Sequence, residues 1–148
     1  APFFEEPWLE NQYGEEYRLY KATVPRFFSL GSQFTKNIAP HVRSEIIKAA
    51  KSRGRGDITT EFKHLESAHI LGQESTFWHI KTHAHMLTWA IRNSRIKECF
   101  GQLLRIVGAA VSTPIGLVPK GNTGGANVSP FKTMPITPAH QEIIKNAK

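Results

Sequence analysis

Residues 57–92 read DITTEFKHLESAHILGQESTFWHIKTHAHMLTWAIR, and this stretch decides the fold. Asp57 is a favourable N-cap for a helix to about Leu71, and Ser75 is one for a second helix to about Arg92. Apolar residues recur at helical spacing in both segments. They are Ile58, Phe62 and Leu65, with His69 on the same face, in the first segment, and Phe77, Ile80, Ala84, Leu87 and Ile91 in the second. Gly72 closes the first helix, and the short joint predicts two antiparallel neighbours.

The segments on either side of this pair continue the helical pattern. We expect helices over residues 40–51, 95–111 and from 137 onward, and a further helix within residues 1–30 that stops before Pro25. The helix at 95–111 is expected to turn its apolar residues toward the core. These residues are Ile96, Cys99, Phe100, Leu103 and Val107. No convincing run alternates apolar and polar residues with a period of two, so no strand is predicted.

The predicted fold class is therefore all-α, with compact antiparallel helical hairpins and a C-terminal wrap rich in glycine and proline. The stretch GDITTEFKHLESAHIL (56–71) spaces its small and apolar residues like the second helix of a tetratricopeptide-type repeat. Only about two such hairpins fit, which favours a compact domain over an open superhelix. The wrap, VPKGNTGGANVSPFKTMP (118–135), is expected to cover the helices and to act as a lid over any cleft.

Length and composition restrict the function classes. The 148 residues fit one domain, and one cysteine excludes a disulfide framework or a cysteine-rich zinc module. No stretch of 18 apolar residues is present, so no transmembrane helix is predicted. The single cysteine favours a reducing compartment, and a cytoplasmic protein is therefore expected. The net charge of +7 permits acidic partners. Nucleic acid is not an expected partner, because the basic joint at 48–55 lacks stacking aromatics and a readable motif.

Histidines are concentrated between positions 64 and 85 of the chain. His79 and His83 are four residues apart and share one helix face, a spacing that allows both to ligate one metal ion. Glu66 and His69 share a face of the preceding helix in the Glu-x-x-His pattern of carboxylate-containing metal sites. With the turn centred near residue 74, His69 and His79 lie at the same height on antiparallel helices, with His83 one turn deeper. We therefore predict His69, His79 and His83 as ligands, and Glu66 as a fourth ligand or as a catalytic base acting on bound water.

Three imidazoles and one carboxylate suit one transition-metal ion, namely Zn, Fe, Cu or Ni. Two interpretations stay open at this point: a metal-dependent enzyme or a metal-handling protein. The competing interpretation is that these histidines are ordinary helix-interface residues. The chain is then a cofactor-free helical-repeat module that binds a protein partner in a groove between hairpins.

Residues from about 34 to 148 resemble a family of small bacterial proteins that is known only as a domain of unknown function. The resemblance rests on HLESAHILGQ (64–73), the His79-x-x-x-His83 spacing, GQLLRIVGAA (101–110) and GNTGGANVS (121–129). It implies that these segments belong to one domain, residues 31–148, and it implies no activity.

Residues from about 5 to 28, EEPWLENQYGEEYRLYKATVPRFF, resemble the C-terminal tail of membrane methyltransferases of the isoprenylcysteine and phospholipid type. Those enzymes use several membrane helices and S-adenosylmethionine, which this chain does not provide. The resemblance therefore implies that residues 1–30 form a separate N-terminal helix, with a membrane-associated fusion partner and association with a membrane as its corollary.

Overall fold

A computed structural model of the protein describes residues 29–148. Within this range the chain forms five helices and no strand. They are α1 (Ser29–Gly54), α2 (Ile58–Gly72), α3 (Thr76–Arg92), α4 (Ile96–Ser112) and α5 (Pro138–Ala147). The all-α prediction is confirmed, whereas the tetratricopeptide-like arrangement remains a prediction. The helix predicted within residues 1–30 falls almost entirely outside the described residues.

Side-chain caps begin three of the helices, as their sequences predict. Asp57 accepts a hydrogen bond from the Thr60 amide at α2, and Ser75 accepts one from the Trp78 amide at α3. Thr137 caps α5 in the same way, with Pro138 at the first helical position. These bonds satisfy amides that have no partner inside the helix, which explains why the predicted starts agree with the structure.

Helix α1 is longer than predicted, because it begins at Ser29 and carries Pro40 in its interior. Proline lacks the amide hydrogen of a helical bond, so a helix start at this position was the natural expectation. The helix continues through it because Phe34 and Ile38 before the proline and Val42 after it are all buried in one cluster. Pro40 itself lies on the exposed side.

The core lies between α1, α2, α3 and α5. Helices α2 and α3 are antiparallel, since the Trp89 indole of α3 donates to the Ile58 carbonyl at the start of α2 (3.0 Å). At the opposite end, a Cβ on Gly72 would lie 2.7 Å from the Trp78 Cβ. Only glycine allows the two helices to approach this closely.

Helix α4 is rotated relative to the prediction. Its apolar residues lie outside, with Phe100 65% and Val107 66% exposed, and its buried residues are Gln102 and Ala109. The predicted inward orientation of Ile96, Phe100, Leu103 and Val107 is wrong, and of the predicted set only Cys99 packs partly against the core. The physical reason is that α4 meets α3 through polar contacts to buried histidines.

The chain between α4 and α5 is an ordered wrap, as predicted. Gln73 holds its beginning, because the side-chain amide donates to the Pro119 carbonyl and accepts from the Gly121 amide. Asn122 holds its middle by donating to the carbonyls of Ser129 and Lys132. None of the described helices combines the length and apolar character that crossing a membrane requires.

Candidate metal centre

Three buried histidines come together from two helices. His69 lies on α2, and His79 and His83 lie one turn apart on α3. One ring nitrogen of each lies within 4.8 Å of those of the other two, and the Nε2 atoms of His69 and His83 are 3.1 Å apart. The three side chains are at most 5% exposed. The structure thus brings together the three histidines that the helical spacing places on facing surfaces.

Each imidazole is oriented by a contact at its Nδ1 atom. His69 Nδ1 lies 2.9 Å from the backbone oxygen of Asn122 in the wrap. His79 Nδ1 lies 2.6 Å from Thr113 Oγ1, just after α4, and His83 Nδ1 lies 2.6 Å from Gln102 Oε1 within α4. Such outer contacts fix the tautomer and ring orientation of metal-binding histidines.

These contacts determine which nitrogen carries the proton in two of the rings. A backbone carbonyl only accepts, so His69 Nδ1 is the donor to Asn122. The Gln102 amide nitrogen donates to Glu98 Oε1 (2.6 Å) and to the Gly124 carbonyl (2.9 Å), so Gln102 Oε1 faces His83 and accepts from its Nδ1. When both rings are neutral, their Nε2 atoms carry lone pairs.

Two lone pairs therefore face each other across 3.1 Å. A neutral pair in these tautomers has no hydrogen to share, so the close approach is unfavourable unless a cation lies between the two nitrogens. This arrangement is what two ligands of one ion require.

Burial keeps the three rings neutral. It lowers the pKa of His79 to about 3 and that of His83 to about 4, with the neighbouring imidazole adding to the shift at His79 and Arg105 at His83. Burial also places the pKa of His69 well below its ordinary value. Metal binding requires neutral imidazole, so these environments favour ion binding at neutral pH.

The wrap closes over His69 at a position that requires glycine. Gly124 has a φ of +88°, and a Cβ there would lie 2.9 Å from the His69 ring. Its amide donates to Asn122 Oδ1 (2.9 Å), so one residue supplies both the acceptor for His69 and the anchor of the turn. This confirms the wrap as a cover of the helices and shows how it holds one imidazole in place.

Glu66 lies apart from the three histidines. Among the described residues, the group with converging ligand atoms comprises the histidines alone. The Glu66 carboxyl hydrogen-bonds to Thr123, and burial, reinforced by Glu98, raises its pKa. His64, in the same stretch of α2, pairs instead with Glu45 of α1 at 2.8 Å.

A cavity of about 810 Å³ opens beside the histidines, between α4 and the wrap. All three imidazoles line it, together with Arg105 and Lys97 of α4. No aspartate or glutamate of the described chain lines it. The site thus borders a space that is large enough for a small molecule.

Sequence reasoning missed the residues that orient the histidines. Gln102, Thr113 and Asn122 come from α4 and the wrap, 19 to 53 positions away from their partners. One signal was available, because Gln102 interrupts the apolar run CFGQLLRIVGAAV (99–111). A polar residue in such a run marks a face on which a buried partner is needed.

Fold and site together define a small all-α protein with a buried three-histidine cluster beside a cavity. Residues 36–144 match the family described as Protein of unknown function (DUF3703), and the chain belongs to that family. Neither the curated proteins nor the solved structures yielded a match. The resemblance of residues 5–28 to a methyltransferase tail is not shown by these comparisons and lies outside the described residues.

Proposed function

We propose that this protein binds one transition-metal ion through the Nε2 atoms of His69, His79 and His83. The proposal rests on one observation: the Nε2 atoms of His69 and His83 lie 3.1 Å apart, and each directs a lone pair at the other. Their tautomers follow from the acceptors at Nδ1, so a bound cation explains a contact that is otherwise repulsive.

The spacing suits first-row metal ions. Zinc–nitrogen bonds are about 2.0–2.1 Å long, so two nitrogens of a tetrahedral site lie roughly 3.3 Å apart. The His69–His83 separation of 3.1 Å is close to this value. Imidazole ligands are compatible with Zn, Fe, Cu or Ni, and the elemental analysis described below identifies the preferred ion.

Three protein ligands with an adjoining cavity favour a metal-dependent enzyme over a metal-handling protein. Closed structural sites fill all four positions with side chains, whereas catalytic sites keep one for water or substrate. The cavity beside the three imidazoles provides access to such a position.

Glu66 is part of the proposal as a fourth ligand or as a base acting on bound water. What supports this role is the raised pKa of its carboxyl and its contact with Thr123, next to Gly124 in the wrap. A Glu66→Gln variant tests it: loss of metal identifies a ligand, whereas retained metal with lost activity on a substrate, once one is identified, identifies a base.

The first experiment is elemental analysis by plasma mass spectrometry of the full chain prepared without a histidine tag. Protein reconstituted in turn with Zn, Fe, Cu and Ni is expected to retain about one equivalent of the preferred ion. His79→Ala and His83→Ala should abolish retention, and His64→Ala is the matched control because His64 pairs with Glu45 outside the cluster. Absence of metal after every reconstitution, or equal retention in all three variants, contradicts the proposal.

A second candidate function, a cofactor-free protein-interaction module, is favoured by the exposed apolar side of α4. Ile96, Phe100, Leu103 and Val107 follow a spacing of four, three and four residues and are at least half exposed. This is the spacing of a two-helix seam, and a second copy of the chain supplies the matching helix. Sedimentation equilibrium tests self-association through this side of α4: it predicts a dimer that Leu103→Glu dissociates, and a monomeric wild-type chain eliminates the second copy as the partner.

A further inference from the structure

The walls of the cavity beside the histidines are predominantly apolar. Leu104, Gly108 and Ala109 of α4 form one side, and Leu117, Val128 and Phe131 of the following segment form the other. Its volume of about 810 Å³ falls in the range of small-molecule sites. Predominantly apolar walls with few polar groups are typical of sites for organic ligands.

Arg105 is the polar group whose bonding is incomplete. Its Nη2 donates to the Val128 carbonyl (2.6 Å) and its Nη1 to the Gly101 carbonyl (3.3 Å), and these contacts hold the side chain against the wrap. Its Nε is buried and has no acceptor among the described residues. A buried donor without an acceptor is costly, so the protein's own contacts leave this guanidinium incompletely satisfied.

The charges around the cavity are positive. Arg105 and Lys97 line it, and the Arg105 charge is close enough to lower the pKa of both His69 and His83. Glu98, whose negative charge acts on Arg105, is engaged by the Gln102 amide and by the Ala126 amide (2.9 Å) and does not line the cavity. A metal ion on the histidines adds further positive charge.

We propose that the cavity binds a small organic anion, a carboxylate with a short apolar chain. The carboxylate pairs with the Arg105 guanidinium on the cavity wall, whose charge and planar donor arrangement suit a carboxylate. The apolar chain lies against Leu104, Leu117 and Phe131. The Arg105 contact does not depend on a metal ion. A second contact, in which the carboxylate reaches the open position of the metal, is part of the same proposal and rests on the proposed function.

The test is calorimetric titration of the full chain, in metal-loaded and metal-free form, with hexanoate as probe. Hexanamide is the neutral match, and inorganic phosphate is the anion without an apolar chain. Saturable hexanoate binding is expected, at least about tenfold tighter than either comparison ligand. Phosphate binding as tightly as hexanoate, or equal binding of hexanoate and hexanamide, overturns the proposal.

Two variants of Arg105 isolate its contribution. Arg105→Gln should weaken hexanoate about tenfold or more, and Arg105→Lys should also weaken it because lysine keeps the charge but loses the planar fork. Arg95→Gln is the control, since Arg95 is an exposed cation of the same type outside the cavity. Unchanged hexanoate affinity in a folded Arg105→Lys or Arg105→Gln protein refutes the assignment.

The failure of this proposal can be told apart from failure of the metal site. Elemental analysis of each variant reports the metal independently, and Arg105→Gln is expected to retain it. If no metal binds, the Arg105-dependent tenfold difference should persist in metal-free protein. If metal binds and hexanoate does not, the anion proposal fails alone.

Discussion

Replacing Gly124 by alanine should weaken the proposed metal site although it replaces none of the three proposed ligands. The new Cβ would lie 2.9 Å from the His69 ring, whereas carbon atoms pack at about 3.5–4.0 Å, so the ring must retreat by roughly 0.6 Å. Metal–ligand distances tolerate only about 0.2 Å of deviation. We expect metal affinity to fall by about 10- to 100-fold, the usual effect of disturbing an outer contact of a metal site.

Backbone strain accompanies the same substitution and must be separated from the movement of His69. Gly124 has a φ of +88°, which costs an alanine about 1–2 kcal/mol. Gly56, in the joint between α1 and α2, has a φ of +73°, and its Cβ would meet no atom within 4 Å. Gly56→Ala therefore carries the same strain and leaves the histidines undisturbed.

The assay is competition with a chelator for the bound metal, combined with urea unfolding of the metal-free proteins. Gly56→Ala should lose about 1–2 kcal/mol of unfolding free energy and keep its metal affinity, whereas Gly124→Ala should lose at least as much unfolding free energy and also lose metal affinity. Equal metal affinity of the two variants would refute the argument that Gly124 positions His69.

Three further predictions address the surroundings of the site. Thr113→Val removes the hydroxyl that hydrogen-bonds to His79 Nδ1 and should weaken metal binding about 10- to 100-fold by chelator competition, with recovery in Thr113→Ser. For metal-free protein, the folded pKa values of His79 and His83, about 3 and 4, lie below the unfolded value of about 6.5. The unfolded chain therefore binds more protons than the folded protein in this range. When the pH is lowered from 7 to 5, each ring should decrease the free energy of unfolding by about 2 kcal/mol. A free energy of unfolding in urea that does not change between these pH values would contradict this. Arg92→Met removes the guanidinium that lies 2.5 Å from the buried Glu61 carboxylate, and the free energy of unfolding in urea should fall by about 3 kcal/mol. Adding Glu61→Met removes the unpaired carboxylate and should recover much of this loss.

Local chemistry explains which parts of this fold could be predicted from the chain alone. Asp57, Ser75 and Thr137 bond to amides three residues ahead, so their effect is contained in a few letters of sequence. Helical spacing likewise places His79 and His83 on one face without reference to the rest of the molecule. The short joint between α2 and α3 predicts antiparallel helices, which places His69 opposite His79 and His83.

Contacts between residues that are far apart in the sequence could not be predicted from these local patterns. Pro40 indicates a helix start locally, yet buried residues on both of its sides carry α1 through it. The contact of the Glu66 carboxyl with Thr123 likewise joins α2 to a distant part of the chain, whereas its role as a ligand or base stays a prediction. The predictions for residues 1–28 lie outside the part of the chain that the structure describes.

The sequence by itself therefore determined the all-α class, most of the helix boundaries and the facing histidines, because these depend on contacts within one or two helical turns. Only the tertiary structure decided the rotation of α4 and the contacts of Gln102, Asn122 and Arg105. Apolar periodicity shows that a helix has an apolar side but not whether the protein's own core covers it. In this protein the buried imidazoles need polar partners. Gln102 of α4 faces His83 and hydrogen-bonds to it, and the apolar residues of α4 are therefore on the exposed side of the helix.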